Sequence, residues 1–156
     1  MDISINFQDD YRLNIRAAAI IIHNNKILMH HDIVAGHYAL LGGRVAIGED
    51  SMQTIKREIF EEMEKEIEVK EYAATIENFF PGEGRKTHEI QFVYKAEFAD
   101  EKDKALQTTI KNLEGNENIQ YEWLDLNKID EYPILPLVVK DILKENNYPT
   151  HKIQKD

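Results

Sequence analysis

The stretch Gly42-Gly43-Arg44-Val45-Ala46-Ile47-Gly48-Glu49, followed by Arg57-Glu58-Ile59-Phe60-Glu61-Glu62, fixes what fold and chemistry this chain can carry. Residues 51–65 are expected to be a helix. Met52, Ile55, Ile59 and Met63 recur at steps of three and four and make one apolar stripe. Asp50 or Ser51 can cap its start, and the acidic pair Glu49-Asp50 suits the positive end of the helix dipole. A helix turns about 100° per residue, so Glu58, Glu61 and Glu62, at i, i+3 and i+4, gather on one face. That face lies roughly a quarter-turn from the stripe, which sets the acids at the edge of the core, towards the glycine-rich loop. Like charges at i, i+4 weaken a helix by roughly 0.2–0.5 kcal/mol, and partial burial adds to this. Arg57 neutralises one charge; a divalent cation with oxygen ligands neutralises more. Adjacent glycines let backbone approach such an ion, or a phosphate, closely. Each feature alone has a plain explanation, since a Glu-rich face is usually solvated and two glycines usually only turn the chain. Their conjunction at fixed spacing points to a site.

Outward from this stretch, Leu13 to Ile22 ends in a β-branched run and reads as a buried strand. Asn24-Asn25 signals a turn and Lys26 to His30 a returning strand. Tyr38 to Leu41 is a short apolar piece stopped by Gly42-Gly43. Residues 66–79 are one strand or a bent pair, interrupted by Phe79-Phe80-Pro81-Gly82. His88 to Phe98 alternates as a long strand. Residues 99–118 are polar and suggest a loop with one short helix. Ile119 to Leu126, carrying Trp123, is a further strand candidate. Leu135 to Asn146 is a second helix with Leu135, Val138, Val139, Ile142 and Leu143 on one side, and the polar residues 147–156 are expected to fray. Helices packed on a mixed sheet follow, an α/β (α+β) class.

The 156 residues suit one domain, 1–156, with a core over about 12–146 and a polar tail at 147–156. With 42% apolar and 31% charged residues the chain is neither disordered nor fibrous in character. No apolar run approaches the roughly 18 residues of a transmembrane helix, and Met1-Asp2-Ile3-Ser4 does not begin a secretory signal. Zero cysteines exclude disulfides, thiolate catalysis and cysteine-bound metal, and make the cytoplasm the default location. The net charge of −10 disfavours non-specific binding to nucleic acid. It would also repel a small polyphosphate unless the site holds cations.

Residues 43–65 resemble the signature of the Nudix hydrolase family, G-x5-E-x7-R-E-U-x-E-E-x-G-U, where U is aliphatic. Gly43, Glu49, Arg57, Glu58, Ile59, Glu61 and Glu62 match in register. Glu64 stands where the family has Gly, Lys65 where it has an aliphatic residue, and Leu41 where many relatives have Pro. Glu adopts the left-handed conformation of that Gly poorly, so the helix is expected to run on by about a turn or to leave differently, with Ile67 supplying the missing apolar contact. The resemblance implies an α/β/α sandwich over residues 12–146, its mixed β-sheet flanked by helices. It also implies Mg²⁺- or Mn²⁺-dependent hydrolysis of a nucleoside diphosphate linked to another group. Carried over by position, Glu61, Glu62 and the Gly42 carbonyl resemble metal ligands, and Glu58 a ligand or the base for the attacking water. Arg57 resembles the residue that orients the glutamates, and Glu49 an auxiliary group.

Many relatives add an acid from outside this box. Glu117 is the first candidate here, with Glu114 and Glu89 as rivals. Arg44 and Arg85, the latter beside Lys86, are candidates to meet phosphate, and Phe79 and Phe80 to stack on a base, although buried aromatics more often belong to a core. His37 and His88 could line a cleft, whereas His30-His31 reads as strand-end surface. The expected partner is a small nucleotide-type diphosphate, with no membrane and no non-specific nucleic acid; a homodimer is left open. The competing readings are a non-catalytic nucleotide sensor on the same domain and a plain structural protein with an acidic helix. Diphosphate isomerase chemistry, also found on this fold, uses a cysteine this chain lacks.

Overall fold

A computed structural model describes residues 1–156. The chain runs β1 (Ser4–Asn6), β2 (Tyr11–His23), β3 (Lys26–Asp32), β4 (His37–Arg44), α1 (Ser51–Met63), β5 (Ile67–Gly82), β6 (Arg85–Phe98), α2 (Glu101–Ala105), β7 (Ile110–Lys111) and β8 (Ile119–Asp125). A 3₁₀ turn (Leu126–Glu131), α3 (Val138–Glu145) and β9 (Thr150–Lys155) complete it. The strands form one mixed sheet in the order β7-β8-β3-β4-β2-β6-β5-β9, with β1 paired to β2. The β2/β6 and β5/β9 pairs are parallel and the other pairs antiparallel. No helix is long and apolar enough to cross a membrane.

The central strand β2 divides the core in two because its successive side chains point to opposite faces. Ala18 and Ile20 pack with Val139 and Ile142 of α3, while Ala17, Ala19 and Ile21 pack with Ile55, Ile59 and Met63 of α1. The sheet therefore lies between α1 and α3, the α/β/α sandwich expected. The β2–β3 hairpin turns at Asn24-Asn25, both at positive φ, as the dipeptide predicts.

One irregularity positions the site. β4 pairs with β3 from His37 to Leu40 and with β2 from Leu41 to Arg44. β2 and β3 themselves pair only at their shared hairpin end. The sheet thus splits along β4, and the glycine pair stands on the β2 side of the split. Gly42 and Gly43 do not stop the strand, as the sequence suggested, but continue it. A Cβ on Gly42 would lie 2.0 Å from the Ala17 carbonyl oxygen, so glycine here permits the close approach of β2.

Other expectations need correction. Phe79-Phe80-Pro81-Gly82 does not interrupt β5. Register shifts near Val69–Ala74 absorb the irregularity, and the strand runs on to a hairpin at Glu83-Gly84. The tail is not frayed. Residues 150–155 form β9, and Thr150 to Lys155 pair in parallel with Ala74 to Phe79. Backbone pairing on a sheet edge needs no apolar sequence, so a polar segment hid this strand. The second helix starts at Val138, not Leu135: Leu135 precedes a proline, which disfavours helical backbone, and its N–H donates to the Tyr38 carbonyl. Met52, assigned to the apolar stripe of α1, stays 45% exposed, and Thr54 is buried in the same first turn.

Helix α1 does not run on either. It ends at Met63 because Glu64 takes the left-handed conformation (φ 56°, ψ 36°) while its N–H donates to the Phe60 carbonyl. Ile67 is buried in the same cluster as Met63, which is the apolar contact anticipated. The left-handed backbone costs an L-residue roughly 1–2 kcal/mol. Glu64→Gly is therefore expected to stabilise the fold by about 1 kcal/mol, offset in part by glycine's unfolded-state entropy, and to raise the melting temperature by a few degrees. A calorimetric scan showing no rise would contradict the assigned cap.

Candidate functional site

The box helix is anchored at its start by a reciprocal cap. The Asp50 carboxylate accepts the Gln53 N–H at 2.8 Å, and the Gln53 side chain accepts the Asp50 N–H at 2.9 Å. This cap fixes Glu49 one residue outside the helix. There Glu49 receives Arg57 Nη2 and Nε, each at 2.9 Å, and the Thr54 hydroxyl at 2.6 Å. The bidentate Arg57 pair and Thr54 hold the Glu49 carboxyl down at about 2. Arg57 Nη1 also donates to Glu58 at 3.0 Å and to Glu61 at 3.2 Å. One guanidinium thus orients three carboxylates, while Glu49 works through Arg57 and away from the acid cluster.

Beyond this hub, the acids sort by burial. Ile59 and Met63 dock α1 on the sheet and draw Glu62 in with them, leaving it 8% exposed. Glu58 is tucked against Gly43: a Cβ there would lie 2.3 Å from the Glu58 Cδ. The glycine pair therefore does two jobs, Gly42 admitting β2 and Gly43 admitting a carboxylate. Glu61, by contrast, points to the rim, its side chain 43% exposed.

The third acid of the cluster comes from the loop before β8, and it is Glu114. Carboxylate oxygens of Glu58, Glu62 and Glu114 all lie within 4.8 Å of one another. The loop is built around Asn112. Its side-chain oxygen Oδ1 accepts the N–H of Glu114 at 2.9 Å and of Asn116 at 3.3 Å, and its side-chain Nδ2 donates to the Tyr121 hydroxyl at 2.8 Å. The next residue, Leu113, donates its N–H to the Glu62 carbonyl at 2.9 Å, which ties the loop to the end of α1. Glu117, the first candidate from sequence, is exposed further along the loop and outside this group. The usable signal was Asn112 two residues before an acid, with Gly115 at positive φ completing the turn.

Burial pushes the Glu62 carboxyl up to about 8, and the neighbouring Glu58 adds to the rise. Burial likewise raises Glu58, against the opposing pull of Arg57. Glu62 Oε2 is buried and has no hydrogen-bond partner. An orphaned buried carboxylate oxygen, two further carboxylates within reach and a glycine-lined wall form an oxygen donor set of the kind Mg²⁺ or Mn²⁺ takes.

Glu58 and Glu62 line a cleft of about 900 Å³. Gly42, Gly43 and Arg44 line it, as do Phe80 and His37. Phe79 and Arg85 lie outside its lining; Phe79 instead stacks on His88 at 4.3 Å between ring centroids. His30 is a cleft residue and not strand-end surface, because β3 is an interior strand paired with β8 on one edge and β4 on the other. Burial lowers its imidazole to about 4 and the nearby Arg16 adds to this, so it is neutral near pH 7. Arg16, missed from sequence, also lines the cleft, its guanidinium held by the Leu40 carbonyl at 3.0 Å. Glu89, a rival for the outside acid, lines the cleft as well, but apart from the group of three.

The family profile described as NUDIX domain matches residues 13–143, and the chain belongs to the Nudix family. No curated protein sequence matches it. Among solved structures, a MutT protein from Bacillus halodurans is 24% identical, with a TM-score of 0.59 over 84% of this chain and 80% of its own. A NUDIX hydrolase from Nitrosomonas europaea is 19% identical, with a TM-score of 0.66 over 97% and 82% of the two chains. An ADP-ribose pyrophosphatase from Streptococcus suis is 14% identical, with a TM-score of 0.60 over 89% and 98%. The fold is that of the Nudix and MutT hydrolases.

Two expectations follow. Gly43→Ala drives a methyl into the space of the Glu58 carboxylate and is expected to weaken Mn²⁺ binding about tenfold or more while the chain stays folded, as read by calorimetry and circular dichroism. In chelator, the Glu62 carboxyl titrates above its ordinary value of 4.5, so the stability it contributes is full below about 4.5 and is lost as pH rises through about 8. Glu62→Gln removes this loss. Its melting temperature should exceed that of the wild type at pH 9 and approach it near pH 4; equal melting curves at pH 9 would refute the buried acid.

Proposed function

We propose that this chain is a divalent-metal-dependent pyrophosphohydrolase that cleaves a phosphoanhydride bond of a small nucleoside diphosphate-linked substrate by attack of water. The observation that carries the proposal is Glu62 Oε2, buried and unpartnered beside Glu58 and Glu114, with Glu62 and Glu58 lining a cleft. Glu58, Glu62 and Glu114 would hold Mg²⁺ or Mn²⁺, which, once bound, screens phosphate charge and lowers the barrier to water attack. Arg57 fixes Glu58 through one oxygen, which leaves the other to the ion or, where Glu62 and Glu114 hold the ion, to the proton of the attacking water. The water oxygen bonds to phosphorus, the bridging P–O bond breaks, and the leaving phosphate carries the negative charge away. Arg16, Arg44 and His37 line the path of the phosphates and supply positive or donor groups to them. Without such groups a chain of net charge −10 would repel its own substrate. Phe80 offers an apolar surface for the group beyond the phosphates. Glu61 at the rim and Glu49 behind Arg57 orient this set.

The test is a panel of nucleoside triphosphates, nucleoside diphosphate sugars and dinucleoside polyphosphates with Mn²⁺ or Mg²⁺ in ¹⁸O-labelled water. Metal-dependent turnover is expected, with label in one phosphate product and kcat reduced about a hundredfold or more in Glu62→Gln. Equal turnover by that variant rejects its role. Nucleotide binding without turnover by the metal-replete wild type rejects the hydrolytic reading in favour of a sensor.

A further inference from the structure

Leu135, Pro136 and Leu137 form a wall of the cleft that is held by its ends and not by packing. Ile134 before it and Val139 after it are fully buried, but Leu135 and Leu137 stay 47% and 55% exposed. At one end the Leu135 N–H donates to the Tyr38 carbonyl of β4 at 2.9 Å. At the other end the segment enters α3, where the carbonyls of Pro136 and Leu137 accept the N–H groups of Val139 and Lys140, each at 3.1 Å. The wall therefore moves with the first turn of α3. That turn lacks a cap of its own. Leu137 at the cap position has no side-chain acceptor, and the first N–H groups of a helix have no partner within it. Gln154 supplies the missing acceptor from β9: its Oε1 takes the Val138 N–H at 3.1 Å.

The alternation of β9 gives Gln154 this reach. Lys152 and Gln154 pair with Ile76 and Asn78 of β5, and Ile76 packs with Val139 and Ile142, so these alternate residues face α3. Lys152 ties the far end of the helix through Glu145 at 2.8 Å, and Asp156, next in the alternation, lines the cleft. β5 and β6 form the floor of that cleft through Asn78 and Gln91, and Phe80, two residues beyond Asn78, lines it as well. Gln154 thus refers the Leu135–Leu137 wall to the strand that carries Asn78 and Phe80.

We propose that Gln154 is a positioning residue: by capping α3 from the neighbouring strand it holds the Leu135–Leu137 wall at the spacing a bound substrate needs. It touches no reacting atom, so it acts on binding and leaves the chemical step alone. The substrate is that of the hydrolytic reading above, on which this part rests, but the placement of the wall has a readout of its own.

Three variants test it. Gln154→Met keeps the stem and removes the acceptor, Gln154→Glu keeps an acceptor that the helix dipole favours, and Lys152→Ala cuts the tie at the other end of α3. Hydrogen exchange of the full chain is read at the Val138 amide. The constants kcat and KM are read on the nucleotide panel above at about 0.15 M salt, which screens the added carboxylate beyond roughly 8 Å. Gln154→Met is expected to speed exchange at Val138 about tenfold or more and to raise KM about fivefold or more, with kcat within about twofold of the wild type. Gln154→Glu should stay near the wild type in both, and so should Lys152→Ala. A general loosening of β9 would instead make Gln154→Met and Lys152→Ala alike, which overturns the proposal. So does a Gln154→Met whose exchange and KM match the wild type, or one that lowers kcat with KM unchanged. If no nucleotide is turned over while Gln154→Met and Gln154→Glu still differ at Val138, the placement of the wall stands and the hydrolytic reading falls. If metal-dependent turnover is found but those two variants exchange alike at Val138, hydrolysis stands and the positioning role falls.

Discussion

A carboxylate buried at the end of α1, with one oxygen satisfied by nothing in the protein, is the constraint around which this site is arranged. Glu62 is drawn inward because Ile59 and Met63, its neighbours on the helix, pack against the sheet. Its backbone carbonyl then receives the Leu113 N–H, and so the loop that delivers Glu114 is tethered to the helix that carries Glu58. The strand split at Leu40/Leu41 brings the glycine pair to the same place. Helix packing, a loop anchor and a change of strand partner therefore converge on three oxygen donors.

The arrangement works against folding in the absence of a ligand. Burial raises both Glu58 and Glu62, so each resists ionisation as the chain stands. Arg57 answers only part of this. Its firmest contacts go to Glu49, which lies outside the cluster, and it reaches Glu58 through a single donor. Buried carboxyl groups without full partners at a functional centre, balanced by two packed cores elsewhere, are a common relation between stability and activity. The same relation appears in the cleft floor, where Gln91 keeps an unsatisfied oxygen.

The parts of the fold legible in the sequence were those with a strong period or a specific turn. β2, β6, β8, α1 and the Asn24-Asn25 hairpin follow from alternation, helical spacing and turn chemistry. β9 was invisible because an edge strand is held by backbone pairing, and Thr150 to Lys155 carries no apolar alternation. The glycine pair misled for a related reason: glycine usually ends a strand, yet here it stays in register because a neighbouring backbone needs the space. Glu64 adopts the cap conformation its residue type resists, which shows tertiary context overriding local preference. For the site, the box positions were readable from helical geometry. Their division into buried Glu58 and Glu62 and rim Glu61 was not, since it depends on where α1 meets β4. The choice of Glu114 over Glu117 depended on the Asn112 hydrogen bonds, a three-residue arrangement without periodicity.

Ion binding at this cluster and the protonation of Glu62 are linked, because a carboxyl that holds its proton to about 8 must release it to take up a cation. The most direct measurement is calorimetric titration of the chain with Mn²⁺ near pH 7 in buffers of different ionisation enthalpy. The account predicts saturable binding that releases about one proton per ion, with the proton release lost in Glu62→Gln. Failure to bind the ion, or binding whose heat is independent of buffer and unaffected by that substitution, would contradict it.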